Sequence, residues 1–114
     1  MTHLAEIVKP AGYQVLVQMR SPRTETSGGI ALAAESIRNE IMLEQVGQVV
    51  AMGPQAYGHD KFQGVPFCQI GDWVLVGQYA GVPVPLKQGH AVLVNDDEIK
   101  AVLTQPELVR KSAI

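Results

Sequence analysis

The sequence has few of the features that mark secreted, membrane or nucleic-acid-binding proteins. Cys68 is the one cysteine among 114 residues, so a disulfide within the chain is excluded and the composition is typical of the cytoplasm. No apolar run approaches the ~18 residues of a membrane span, and residues 1–4 do not resemble the start of a signal peptide, so we expect neither. Nine basic and eleven acidic residues are scattered and give a net charge of -2, which argues against binding to nucleic-acid phosphates.

Residues that carry catalysis or bind metals are also sparse. The three histidines, His3, His59 and His90, are far apart and have no cysteine or carboxylate at metal-ligand spacing. The acidic run 96–98 is typical of a solvated turn before a strand. Cys68 lies between apolar residues with no histidine nearby, which predicts a half-buried thiol of the core. Phosphate-binding loops and nucleophile elbows are absent, so we predict no catalytic residue, no metal site and no cofactor bound by this chain.

Valine and isoleucine are what the sequence has in abundance. It contains 15 valines and 7 isoleucines against 9 leucines, and branching at Cβ favours strands over helices. Glycine and proline, 18 residues together, stand between the apolar runs as turn residues do. We therefore predict an all-β protein, a single domain of short strands in a sandwich or a barrel. The predicted strands are 13–19, 47–52, 73–76, 82–86 (an edge strand, because it carries two prolines), 90–94 and 99–103.

The region between the first two strands has a different pattern. Residues 21–29 contain no apolar side chain, which predicts a mobile loop. The apolar triplet Ile30-Ala31-Leu32 follows, and it either folds back onto the barrel or docks on a partner. Over 33–45, apolar residues four apart favour a short amphipathic helix. A loop that leads into a strand near Met42 is an equal alternative.

Six short motifs follow one another along the chain. They are Lys9-Pro10 with the strand at 15–17, then 26–30, 47–53, 70–75, 79–81 and 97–103. Each motif is weak alone, whereas six in register over one short chain are specific. Their order is that of the GroES co-chaperonins, and the sequence from about Lys9 to Leu103 resembles that family. The stretches 53–57 and 66–68 are most similar to those of members carried by tailed bacteriophages.

The resemblance implies a small, irregular β-barrel that assembles into a seven-membered ring. Such a ring caps a GroEL-type chaperonin, from the host or virus-encoded, and encloses an unfolded client protein while the chaperonin hydrolyses ATP. The cap itself catalyses nothing and contacts neither nucleic acid nor membrane. Its expected location is the cytoplasm, that of the bacterial host if the protein is phage-encoded.

The resemblance also assigns segments of the single domain 1–114. Residues 21–41 match the mobile loop, and residues 53–65 match the hairpin that roofs the dome. Residues 104–114 form a C-terminal extension beyond the usual end of the family. The residues implied to bind the chaperonin are Gly28, Gly29, Ile30, Ala31 and Leu32. Those implied to pair between neighbouring subunits are Val15, Leu16, Val17, Ile99, Ala101, Val102 and Leu103.

Two other functions are consistent with a small β-barrel. A virion structural or decoration protein would reuse the barrel and would need no free apolar triplet. An oligonucleotide-binding barrel would carry basic and aromatic residues interleaved on one sheet face. The six aromatic residues of this acidic chain argue against the latter.

Overall fold

The computed structural model describes residues 4–20, 44–86 and 89–109. Within them, six strands account for most of the regular structure, as the all-β prediction requires, and each lies where a strand was predicted. The strands are β1 (Gln14–Met19), β2 (Val46–Met52), β3 (Trp73–Val76), β4 (Val82–Pro85), β5 (His90–Asn95) and β6 (Ile99–Leu103). One four-residue α-helical turn, α1 (Leu4–Ile7), and two short 3-10 helices (Asp60–Phe62 and Asp96–Glu98) were not predicted. A third 3-10 helix, Pro106–Leu108, lies in the C-terminal extension.

All six strands belong to one antiparallel sheet with the order β4-β5-β1-β2-β3-β6. The first strand in sequence is therefore central and pairs with β2 on one side and β5 on the other. Strand β4 lies at the edge, as its two prolines predicted, because a proline has no N–H for a further strand.

The short corner between β5 and β6 requires the sheet to curl. These strands are four positions apart in the sheet order, which is about 19 Å in a flat sheet. From Asn95 to Ile99 the chain reaches at most about 14 Å when fully extended, and here it forms the tighter 3-10 helix Asp96–Glu98. The sheet must bend until β6 approaches β5, as in the predicted small barrel.

The inner face of the curled sheet carries the main core. Alternate residues of β1 enter it, and they meet apolar side chains from β2, β3, β5 and β6. The segment between β2 and β3 adds aromatic rings and a thiol, so it packs against the same interior. The buried members of this core are Val15, Val17, Met19, Val49, Tyr57, Phe62, Cys68, Val74, Val76, Val92, Val94 and Ile99.

The outer face of the sheet is covered as well, by a smaller apolar cluster. Leu16 of β1 lies there between Ala51 and Ala91, and all three are buried. Leu4 of α1 and Val8 pack against them, so the N-terminal turn covers the central strands from outside. Because both faces of β1 are buried, its apolar residues are consecutive instead of alternating with polar ones.

Gly81 permits the close approach of the chain to β5 just before β4 begins. Its φ is +73°, and a Cβ atom at this position would lie 2.2 Å from the Leu93 carbonyl oxygen and 2.7 Å from Val94 Cγ1. Gly64 has a similar φ of +76°, yet no atom lies within 4 Å of where its Cβ would be. A substitution at Gly64 therefore has only the cost of the backbone conformation, whereas one at Gly81 also has the cost of the contact with β5.

We expect Gly81→Ala to lower the free energy of unfolding more than Gly64→Ala. The left-handed conformation costs about 1–2 kcal/mol in either variant, and forcing a Cβ against the β5 backbone adds about 1–3 kcal/mol at Gly81. Chemical denaturation at equal protomer concentration measures both losses. Equal losses of unfolding free energy would show that the chain before β4 moves away from β5 and accommodates the Cβ without a further loss of stability.

Candidate functional site

The residues implied to bind a chaperonin, Gly28, Gly29 and 30–32, lie outside the described residues. So do the rest of the predicted mobile loop, 21–41, and the predicted helix or strand start before Glu44. The structure does describe both ends of this connection, which leaves β1 and enters β2. Because β1 and β2 are antiparallel neighbours, the two ends lie side by side, and the Arg20 N–H donates to the Val46 carbonyl at 3.0 Å.

A buried ion pair joins the two ends of the connection. Arg20 Nη2 donates to Glu44 Oε1 at 3.0 Å, and the two side chains are 14% and 3% exposed. The same carboxylate oxygen accepts the backbone N–H groups of Gln45, at 2.9 Å, and Val46, at 3.0 Å. A buried carboxylate is stable when charge and hydrogen bonds compensate its lost hydration. Glu44 receives both, so the geometry at the start of β2 is defined by side-chain chemistry as well as by the sheet.

Of the two strands predicted to pair between subunits, β1 and β6, only β6 has exposed residues in the predicted set. It pairs with β3 on one side and ends the sheet on the other. Ala101 and Val102 are exposed, Leu103 is half-buried, and Ile99 is buried in the core. An edge strand with exposed apolar residues is a template for pairing with another chain.

The three β1 residues predicted for the same interface have a different environment. Val15, Leu16 and Val17 are completely buried, and β1 is paired along both edges within the chain. No surface of these three residues is left for a neighbouring subunit. The resemblance implied that the first strand pairs between subunits, whereas the hydrogen-bonded order places it in the centre of the sheet.

The segment 53–65, predicted as a hairpin, contains turns and one 3-10 helix instead of paired strands. Its aromatic residues Tyr57 and Phe62 pack inward. Tyr57 and Phe62 are buried with ring centroids 4.9 Å apart, and Phe67 completes the group at 5.4 Å and 5.0 Å from them. Tyr57 has a φ of +60°. This conformation directs its ring into the barrel and interrupts the extended backbone that a hairpin needs.

The acidic turn 96–98 is not uniformly solvated, in contrast to the prediction. Asp96 is buried, and its Oδ2 accepts the backbone N–H of Tyr57 at 2.9 Å. Asp97 is exposed and pairs with Lys61 across 3.0 Å. The hydrogen bond from Lys61 lowers the pKa of the Asp97 carboxyl below its ordinary value. Together the two aspartates tie the segment 53–65 to the β5–β6 corner.

The remaining titratable side chains in this region pack against one another. Cys68 belongs to the core but is more deeply buried than the half-buried thiol predicted, and its Sγ lies 3.5 Å from the Tyr57 hydroxyl. Burial raises the pKa of the Cys68 thiol and that of the Tyr57 phenol, so both are neutral at physiological pH. Tyr13 stacks on His59 with ring centroids 4.4 Å apart. Among the described residues, no three His, Cys, Asp or Glu side chains are grouped as metal ligands would be.

The sheet and its exposed β6 edge indicate the class of protein. The described residues form a small, curled β-barrel domain, and its apolar strand edge is able to pair with another chain. A comparison with known protein families matches residues 7–103 to Cpn10, the chaperonin 10 kDa subunit. The chain belongs to this family, whose members are co-chaperonins rather than enzymes. None of the helices in the described part of the chain has the length and apolar character of a membrane span.

We expect Asp96→Ala and Asp97→Ala to differ in their effect on stability. Removing the Asp96 carboxylate leaves the buried Tyr57 N–H without its acceptor, which costs about 1–3 kcal/mol. Removing the Asp97 carboxylate breaks an exposed ion pair, which costs about 0–1 kcal/mol. Urea denaturation at one protomer concentration measures both changes. If Asp96→Ala is as stable as the original protein, the contact with Tyr57 does not hold the segment 53–65.

Proposed function

We propose that this protein caps a GroEL-type chaperonin, with residues 28–32 as the contact. The observation that carries the proposal is the family match, which spans residues 7–103, a range that contains this segment. The fold supports it, because β1 and β2 anchor both ends of the 21–43 connection on the central part of the sheet. The cap closes a chamber in which a client protein folds. The chaperonin hydrolyses the ATP, and the cap binds no cofactor of its own.

The composition of the contact suits repeated binding and release. Ile30 and Leu32 each contribute about 1.5–3 kcal/mol when fully buried in a partner groove. Association itself costs an estimated 4–15 kcal/mol, so one such segment binds weakly. Several segments on one ring bind together, because the first contact raises the effective concentration of the others. A modest change in the partner groove then releases the whole cap.

The ring is the second part of the proposal. We place the outer edge of β6 at the contact between subunits, since Ala101 and Val102 are exposed there and the strand ends the sheet. A β-strand edge binds a neighbour through backbone hydrogen bonds, and exposed apolar side chains add burial. Seven subunits, as the resemblance implies, form a closed ring in the cytoplasm, with the segment 53–65 as its roof.

We expect Ile30→Ser to abolish binding to the chaperonin. The test mixes the protein with a GroEL-type chaperonin, with and without ATP or ADP, and measures comigration on a sizing column. Ile37→Ser is the matched control, because it makes the same substitution in the same connection but outside the apolar triplet. The proposal predicts nucleotide-dependent comigration of the original protein and of the control. Failure of the original protein to bind any plausible host chaperonin would overturn it, and copurification with virus particles would then favour a virion protein.

We expect Val102→Asp to dissociate the ring. A buried carboxylate at the strand edge is unfavourable unless it is paired, whereas Val102 is 44% exposed in the single chain and tolerates the charge there. Val65→Asp is the control, an exposed valine of the segment 53–65 that the proposal leaves outside the contact. Native mass spectrometry at micromolar concentration counts the subunits. A stable monomer of the original protein contradicts the ring, and an intact Val102→Asp ring contradicts its placement on β6.

A further inference from the structure

We propose that the C-terminal extension positions the base of the 21–43 connection, and that Arg20 is the residue through which it acts. The base, called the neck below, comprises Arg20, Glu44, Gln45 and Val46. The extension begins after β6, at residue 104, directly beyond the residues that match the family. The effect on chaperonin binding rests on the proposed function, whereas the effect on the neck does not.

Arg20 contacts the neck and the extension at the same time. Its Nη2 donates to Glu44 Oε1 at 3.0 Å, and its Nη1 donates to the carbonyl oxygens of Val109, at 2.6 Å, and Pro106, at 3.3 Å. The guanidinium group is a rigid, planar fork with donors on different sides. One side of the fork therefore holds the carboxylate at the start of β2, while the other holds two backbone carbonyl groups of one turn in the extension.

The extension presents these carbonyl groups because it forms a short 3-10 helix. The Val109 N–H donates to the Pro106 carbonyl at 3.1 Å, and the Leu108 N–H donates to the Gln105 carbonyl at 3.1 Å. These bonds close the turn and bring the carbonyl oxygens of Pro106 and Val109 to the same guanidinium. The Leu108 side chain is 73% exposed, so apolar burial of this residue does not attach the extension. Hydrogen bonds from Arg20 hold it, together with the half-buried residues Pro106 and Val109.

The arrangement has a direct consequence for the neck. The carboxylate that Arg20 holds is the acceptor for the Gln45 and Val46 amides. A guanidinium restrained by two further carbonyl groups retains one orientation, and it fixes the carboxylate against those amides. Without the extension, Arg20 keeps its charge partner but loses two of its acceptors, so the carboxylate and the two amides are held less firmly. The point at which the connection enters β2 is then less well defined.

Hydrogen exchange tests the proposal without a chaperonin. A chain that ends at Thr104 should show about tenfold faster exchange of the Gln45 and Val46 amides, because local opening of the neck requires less free energy. Leu108→Ala is the control, since it removes an exposed side chain and keeps every backbone carbonyl. Unchanged exchange at both amides in the shortened chain would overturn the proposal.

A second substitution identifies Arg20 as the link. Lysine keeps the charge but has no planar fork, so Arg20→Lys should accelerate exchange at the same two amides. If the extension acts through Arg20, shortening the Arg20→Lys chain adds no further acceleration, because the two changes remove one shared interaction. Additive effects would show that the extension acts through other contacts, and the role assigned to Arg20 would be wrong.

Binding to a GroEL-type chaperonin gives the functional readout. We expect the shortened chain to bind about three- to tenfold more weakly than the original protein, with its ring intact by native mass spectrometry. Failure of the original protein to bind overturns the proposed function and leaves the exchange result standing. Equal binding by the two forms, with faster exchange at the neck, would show that positioning of the neck does not serve chaperonin binding.

Discussion

The pairing of β1 along both of its edges is the constraint on which the rest of the structure depends. Its inward residues Val15 and Val17 lie in the main core, while Leu16 lies in the outer cluster beneath α1. A strand in this position can exchange neither face nor edge with another chain. Assembly contacts must therefore use the ends of the sheet, and the long connection that leaves β1 starts from a strand that is paired along both edges.

Closure of the sheet is the second constraint, and it explains the buried aspartate. The corner between β5 and β6 is too short for a flat sheet, so it draws β6 toward β5 and turns a polar residue inward. Asp96 is accommodated because the Tyr57 N–H lies within hydrogen-bond distance. The same contact fastens the segment 53–65 to the corner between β5 and β6. A feature forced by strand geometry thus also determines where the region between β2 and β3 lies.

The strands could be predicted from the sequence, whereas the order of the strands could not. Runs of valine and isoleucine between glycines and prolines are local signals, and they located all six strands and identified β4 as an edge. The resemblance implied an interface for β1, and no local signal showed that this strand is central, because sheet order depends on pairing between distant residues. The buried pair Arg20–Glu44 and the buried Asp96 were missed for the same reason: their partners are 24 and 39 residues away. Opposite charges at the two ends of the connection were the one available signal.

Weak contacts on a ring make the position of each connection as important as its apolar residues. Avidity depends on the effective concentration of the remaining contacts after the first has formed, and that concentration falls when the bases of the connections are poorly defined. A side chain such as Ile30 determines how strongly one segment binds. The neck determines whether several segments reach their grooves together. The buried Arg20–Glu44 pair, attached to the sheet on one side and to the extension on the other, is a structural means of meeting the second requirement without strengthening any single contact.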